Sequence, residues 1–311
     1  MTSLAWDVVG VGENSVDTIL TLSESTRTGG RKARVVSRER ALGGQVVTTL
    51  CTCASFGLRT AYVGAFGDDD DGAFARRELA VRGVDTAGAV TRPCANRQAL
   101  ILVEPDGDRA VLWSRDPALV LDPQQLPADL LRSARLVHVD AVDIAAACEA
   151  ARLAGAAGAL ATCDIDMVDR GTAALVETVS HPILAEHVPM ALTGEADVER
   201  AVRALGQRHA GPICVTLGAR GAVLFEQGRL HRVAGWPIDA VDTTGAGDVF
   251  RGAFITAVLE GRPPLDVLRF ANAAAAVSCT RAGAVGGVPA RADVDALLLQ
   301  EQATERRHGQ L

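Results

Sequence analysis

The sequence predicts an α/β fold, a doubly wound and mainly parallel sheet, and three observations predict it. From Asp122 onward, apolar runs of strand length alternate regularly with segments of helical spacing; such βαβα repetition builds a parallel sheet with helices on both faces. Residues 7–12 form an apolar run that ends in glycine and reads as a buried strand. Further on, Gly245-Ala246-Gly247 stands where a loop turns into a helix. Phe250, Ala253, Phe254, Ala257 and Val258 fall at helical spacing, with Arg251 and Glu260 off that stripe, and Gly261 then Pro263-Pro264 stop it.

The chain has 311 residues, 48% hydrophobic and 22% charged, which suits one large domain over residues 1–311. Aromatic residues are only 4%, so the core must rest on closely packed Ala, Val and Leu. A net charge of -7 argues against a nucleic-acid or membrane-surface partner. No apolar run approaches the ~20 residues of a membrane span. Residues 1–7 carry no basic segment, so no signal peptide and a cytoplasmic protein are expected. The seven cysteines are odd in number and scattered, as free thiols in a reducing compartment would be. Cys51 and Cys53 would point apart on a helix, which makes a metal clip a poor reading.

In order along the chain, the strand at 7–12 leads into Glu13-Asn14-Ser15-Val16-Asp17. In open α/β sheets ligands bind beyond the carboxyl ends of strands, so these polar residues are either site groups or a solvated loop. Residues 19–40 are the basic part of the chain, with Arg27, Arg31, Lys32, Arg34, Arg38 and Arg40. Those charges either form a solvated face or read an anionic substituent. Gly43-Gly44-Gln45 opens a helix to about Ser55, and residues 60–66 form a strand. Asp68 to Asp71 read as an N-cap with first-turn acids of a helix through Arg82, in preference to a metal site. Residues 99–104 and 109–114 are strands joined by a Pro105-Asp106-Gly107-Asp108 hairpin turn. Asn96, Arg97, Gln98 and Arg115 beside it are pocket candidates, with the surface as the plainer reading. Helices at 126–133, 144–153 and 173–179 then alternate with strands at 136–139, 159–163 and near Ile183. Asp140, Asp164 and Asp166 fall just after strands, where turn chemistry competes with a site role. Residues 212–225 read as a strand, a glycine turn and a second strand. Pro264 opens a helix to Cys279 in which Asn272 is polar amid alanines, and residues after Glu301 are expected to fray.

The centre of the pattern is Gly245-Ala246-Gly247-Asp248. Unpaired N–H groups at a glycine-rich helix start form an anion site, strengthened by the helix dipole. A carboxylate beside that site has two readings. Asp248 is a helix-start aspartate that favours the dipole, or it is a general base that takes a proton from a substrate hydroxyl while the N–H groups hold a transferring phosphoryl group.

Asp242-Thr243-Thr244-Gly245-Ala246-Gly247-Asp248, followed by Gly252-Ala253-Phe254, resembles the C-terminal signature of the ribokinase-like (pfkB) family of carbohydrate kinases. The resemblance implies a ribokinase-like domain with a small β-sheet lid made from about residues 15–40 and 90–115. It implies Asp248 as catalytic base and Gly245, Ala246 and Gly247 as anion hole. For the sugar it implies Asp17, Gly43, Gly44, Gln45 and Thr48, the last standing where the family has asparagine. For ATP it implies Thr216, Gly218, Gly221, Thr244, Gly245, Gly247 and Asn272, with residues 280–284 closing over the adenine. Magnesium is implied with ATP. The family's Asn-x-x-Glu motif is degraded to Ala185 and Val188 here, which leaves Glu186 as the metal candidate. Asp242, with Thr244, is the candidate for a monovalent cation such as potassium.

The activity this implies is transfer of the ATP γ-phosphate to a hydroxyl of a small sugar, a ketohexose or pentose such as fructose or ribose. Residues 241–249, with Arg269-Phe270-Ala271 and Ser278-Cys279-Thr280-Arg281, also look like the sulfofructose-kinase branch. That keeps an anionic sugar open: sulfofructose, a phosphosugar or a keto-deoxy sugar acid. A nucleoside is a further alternative, although few aromatic rings are available to stack on a base. A reading from another class is a non-catalytic sugar- or nucleotide-binding sensor on the same fold. An exposed lid edge is a route to a homodimer.

Overall fold

A computed structural model describes residues 5–25, 32–106 and 108–308, the last eight of these as backbone only. Arg27, Arg31 and Gly107 lie outside the described residues. The elements run β1 (Trp6–Val11), β2 (Ser15–Leu22), β3 (Val35–Gly43), α1 (Gln45–Ser55), β4 (Thr60–Val63), β5 (Ala65–Gly67), α2 (Asp70–Val81) and β6 (Val84–Asp85). They continue β7 (Val90–Arg92), β8 (Gln98–Val103), β9 (Arg109–Ser114), α3 (Ala128–Arg132), β10 (Ala134–Asp140), α4 (Ile144–Ala156), β11 (Leu160–Ile165), α5 (Thr172–Thr178) and β12 (His181–Ala185). The last part holds α6 (His187–Thr193), α7 (Val198–Gly206), β13 (Ile213–Thr216), β14 (Ala222–Glu226), β15 (Arg229–Val233), α8 (Ala246–Leu259), α9 (Pro264–Ser278) and α10 (Arg291–His308). Fraying after Glu301 was expected, but α10 runs through it.

The main sheet has nine strands in the order β15-β14-β13-β12-β11-β10-β1-β4-β6. All pairs are parallel except β13–β14 and β14–β15. From β1 the chain winds outward through β4 and β6, then returns to β10 on the other side and winds through β11 and β12. The direction therefore reverses between β1 and β10, and open α/β sheets bind ligands at such a switch point.

Strand alternation sorts the core. Val9, Val11, Val137, Val139, Ala161 and Cys163 face α4 and its neighbours, while Val8 and Leu136 face the side of α1. On that second face the strand ends turn polar: His138 bonds Thr162 at 2.9 Å, and Asp164 follows Thr162 two residues on. Polar groups this deep need partners, and α8 supplies one.

A second sheet has four strands in the order β3-β2-β8-β9, with β2 and β8 parallel and both outer pairs antiparallel. It leaves the main body where β2 departs from the end of β1, and returns at Gly43-Gly44. Val111, Leu112 and Trp113 on β9 are exposed, as are Lys32, Arg34, Arg38 and Arg40 before and along β3. The aspartate run caps α2: Asp69 accepts from Gly72 N at 2.9 Å, with Asp70 and Asp71 in the first turn. Among the described residues no helix is long and apolar enough to cross a membrane.

Candidate active site

Two clusters form at the carboxyl ends of the strands, joined by the contact of α1 with α8. The first lies at the switch point. The Asp17 carboxylate lies against the backbone of Gly43, where a Cβ would come within 2.2 Å of Oδ2, and it accepts from the Ser15 hydroxyl at 2.7 Å. Burial raises the Asp17 carboxyl above its ordinary value, against the pull of Ser15 and Arg97. Gly44 takes φ 105° at the start of α1, and a Cβ there would stand 2.7 Å from the Glu13 carbonyl. Only glycine fits both the conformation and the approach. Gln45 is the first residue of α1 and half-buried. Thr48, expected near the sugar, is fully buried, and its hydroxyl donates back to Gly44 O at 3.0 Å. A short β-hydroxyl on a helix finds the preceding turn before it finds solvent.

Around Asp17 stand residues whose surface reading the structure overturns. Asn96 is buried, donating to Asn14 Oδ1 and accepting from Gly67 N; Asn14 in turn donates to Tyr62 Oη and Ala65 O. Arg97 pairs with Glu13 at 2.9 Å and Arg115 with Asp143 at 2.6 Å, all four largely buried. Glu13 N donates to Asp140 at 2.7 Å, and burial with the Glu13 charge pushes the Asp140 carboxyl up to about 7. Gln98 is exposed, as read. Asn96, Arg97 and Arg115 flank the β8–β9 hairpin and are candidates from the sequence, but their burial is not legible there, because Asn96 meets Asn14 across 82 residues and Arg115 meets Asp143 across 28.

The second cluster is built on α8. Gly245 is its N-cap at φ 75°, and a Cβ there would meet Ala284 at 2.7 Å. Asp248 lies in the first turn, half-buried, with its main-chain carbonyl accepting from Thr49 of α1 at 3.2 Å. Burial raises the Asp248 carboxyl well above its ordinary value, and the charge of Asp164 adds to the effect. Arg251, read as lying off the apolar stripe, is in fact buried and pairs with Asp164 at 2.5 Å. The stripe misled because α8 is covered all round, by α1, α9 and the sheet, and a helix buried on every side has no polar face.

In front of this helix start opens a cleft of about 650 Å³. Thr216, Gly218, Gly221, Gly247 and Asn272, which the resemblance assigned to ATP, line it together with Ala246 of the proposed anion hole; Trp236, Pro237 and Ile238 were not anticipated. Thr243, rather than Thr244 or Gly245, faces the cleft. Gly221 is required by close approach, since a Cβ would stand 2.1 Å from Val233 O. Asn272 gives its amide to Val233 O and Ala234 O, each at 3.2 Å, so it pins the segment that floors the cleft. The loop after α9 packs behind the turn, with Gly283 N donating to Asp242 at 2.8 Å.

Glu186 is engaged by the Arg220 guanidinium, and among the described residues no three His, Cys, Asp or Glu side chains cluster to hold an ion. Asp242 accepts from Thr244 N and Gly283 N and pairs with Arg109 of β9 at 2.7 Å. Burial favours its protonated form, but these donors outweigh it and hold the carboxyl below the usual range. In this arrangement the Asp242 oxygens accept from the loop and the small sheet.

Residues 7–291 match the family described as pfkB family carbohydrate kinase. A protein of Arabidopsis thaliana named "Probable fructokinase-4" is 29% identical over 94% of this chain and 96% of its own length. A fructokinase of Solanum tuberosum is 28% identical over 94% of this chain and 95% of its own. The structure of Arabidopsis thaliana ribokinase complexed with ribose and ATP superposes with a TM-score of 0.83 at 24% identity. It covers 94% of this chain and 99% of that one.

Proposed function

The chain belongs to the pfkB family of carbohydrate kinases, and from that premise we propose that it phosphorylates a neutral ketohexose or pentose, fructose first. An ATP-dependent phosphotransfer to a sugar is the family's activity; the substrate and the residue roles are the proposal. The names of the fructokinase relatives support a ketohexose. So does the charge at the switch point: two arginines, Arg97 and Arg115, meet two carboxylates, Glu13 and Asp143, and cancel. An anionic sugar seated between these residues would find neither arginine unpaired.

The observation that carries the reading is the start of α8. Ala246 and Gly247 of its glycine turn line the cleft, and a carboxyl of raised proton affinity sits one residue behind. In this proposal ATP lies in the cleft with its phosphates towards Ala246 and Gly247. The sugar is held near Asp17, Gly43 and Gly44, under the small sheet acting as a lid. Asp248 as carboxylate takes the hydroxyl proton, and the turn's N–H groups hold the charge that gathers on the transferring phosphoryl group. Magnesium, entering with the triphosphate, neutralises phosphate charge. The chain's own part is to orient the sugar, exclude water and move one proton to Asp248.

The test is ADP release with Mg-ATP against fructose, ribose, sulfofructose, 2-keto-3-deoxygluconate, fructose 6-phosphate and nucleosides. Turnover fastest with fructose or ribose supports the reading. Turnover confined to an anionic sugar would overturn the neutral-substrate proposal, and turnover of Asp248→Asn near the parent rate would overturn the base.

A further inference from the structure

Arg251 has no counterpart among the groups assigned so far, yet it stands directly beneath them. It follows Asp248 by one turn of α8, and helical side chains lean back towards the N-terminus. Its guanidinium accordingly lies under the anion turn: a Cβ added to Gly247 would be 2.7 Å from Nη1. Its side chain is 5% exposed and that of Asp164, its partner from β11, is 0% exposed. The pair is close but poorly aligned, with Nη2 2.5 Å from Oδ1 and the buried Nε without a hydrogen-bond partner among the described residues.

The two Asp164 oxygens are also without an aligned protein donor, and the charges of Asp164 and Arg251 act on the Asp248 carboxyl in opposite directions. A buried carboxylate and a buried guanidinium therefore stand together beneath the turn. Burying a charge pair without good hydrogen bonds costs stability, which makes a stabilising role a poor account of it.

We propose that Arg251 and Asp164 are positioning residues for phosphoryl transfer: Arg251 sets a fixed positive charge under the Gly245–Gly247 turn, and Asp164 holds its guanidinium there. The inference rests on the reading of Asp248 as base. The charge of Asp164 is balanced by Arg251 throughout, while Asp248 takes the sugar proton. The groups facing Asp248 are Asp164 and Asp166 from β11 and its exit, Arg251 from its own helix and the Thr49 hydroxyl from α1; His138 of β10 faces Arg251.

The two partners should act on Asp248 in opposite directions, as a negative and a positive neighbour do, and the loss of kcat given below then separates positioning from a merely structural pair. The readout is the titration of the Asp248 side-chain carboxyl by NMR in protein labelled with carbon-13 at aspartate Cγ, assigned by its loss in Asp248→Asn. The midpoint should fall by about half a unit or more in Asp164→Asn, where a like charge is removed, and rise by as much in Arg251→Met. Arg251→Lys should restore part of the shift, and Asp164→Asn/Arg251→Met should return towards the parent. The double variant also covers the case in which a single variant fails to fold.

Midpoints that stay put, or move the same way in both single variants, overturn the inference. The titration needs no sugar, so its outcome is independent of the kinetic test of the base. If Asp248→Asn loses ADP release with D-fructose while the midpoints do not move, the base stands and the pair falls. If the pair holds, Arg251→Met should lower kcat about 10-fold or more with little change in KM for ATP.

Discussion

Asp248 is at once the base of the proposed chemistry and a group the fold holds at a cost. Its carboxyl is raised by burial and by Asp164. A base works only when ionised, so kcat/KM should fall towards acid at a pH clearly above the ordinary carboxylate range of ~4; a pH–rate profile checks this. Asp248→Asn should lower kcat by about 10²–10⁴ while ADP binding by calorimetry is kept. The same substitution should raise stability. A carboxyl with a folded value above its unfolded one subtracts stability as pH rises between the two, and the loss then persists. The variant should therefore melt higher than the parent near pH ~8, and this advantage should shrink as pH falls towards ~5. An equal or lower melting temperature at the higher pH would contradict the assignment of the proton.

Helices α1 and α8 join the two clusters through small side chains. A Cβ on Gly252 would meet Thr52 Cβ at 2.5 Å and the Thr49 carbonyl at 2.8 Å, and Thr256 donates to Gly252 O. The carbonyl is backbone and cannot turn aside. Gly252→Ala should therefore force the helices apart, at about 1–3 kcal/mol by urea denaturation. It should also lower kcat, because the Asp248 carbonyl is tied to Thr49 across this contact. At Gly245, φ 75° and the 2.7 Å approach to Ala284 Cα act together. Gly245→Ala should displace the loop of residues 280–284 and raise the KM for ATP more than that for the sugar.

The small sheet is tied to the large domain at two places beyond its chain connections. Arg109 of β9 pairs with Asp242, just before the anion turn, and Arg40 of β3 pairs with Asp71 on α2 while its guanidinium stacks 4.4 Å above Phe74. The first tie spans from the sheet to the segment that starts α8. Arg109→Ala should raise the KM for the sugar several-fold and leave ADP affinity unchanged, as read by steady-state kinetics and calorimetry. A change in ADP affinity of the same size would place Arg109 on the nucleotide side. The basic face of β3 becomes, in this arrangement, partly a surface of attachment rather than a reader of substrate charge.

What the sequence determined by itself was whatever is local. The run from Asp242 to Asp248 carries its turn, its helix start and its carboxylate within seven residues, so the proposed anion site was legible without a fold. Alternation of strand and helix periods gave the parallel sheet, and Asp69 announced its cap three residues ahead. Only the tertiary structure decided the groups whose partners are distant in the chain. Asp164 and Arg251 meet across 87 residues, and Asn96 reaches Asn14 across 82. Thr48 and Asn272 turned to nearby backbone because a buried polar atom must bond to whatever lies nearest. Burial made the difference in each case: it gives a side chain its partners and shifts its charge, and it is a property of what packs against a residue, which no spacing along the chain contains.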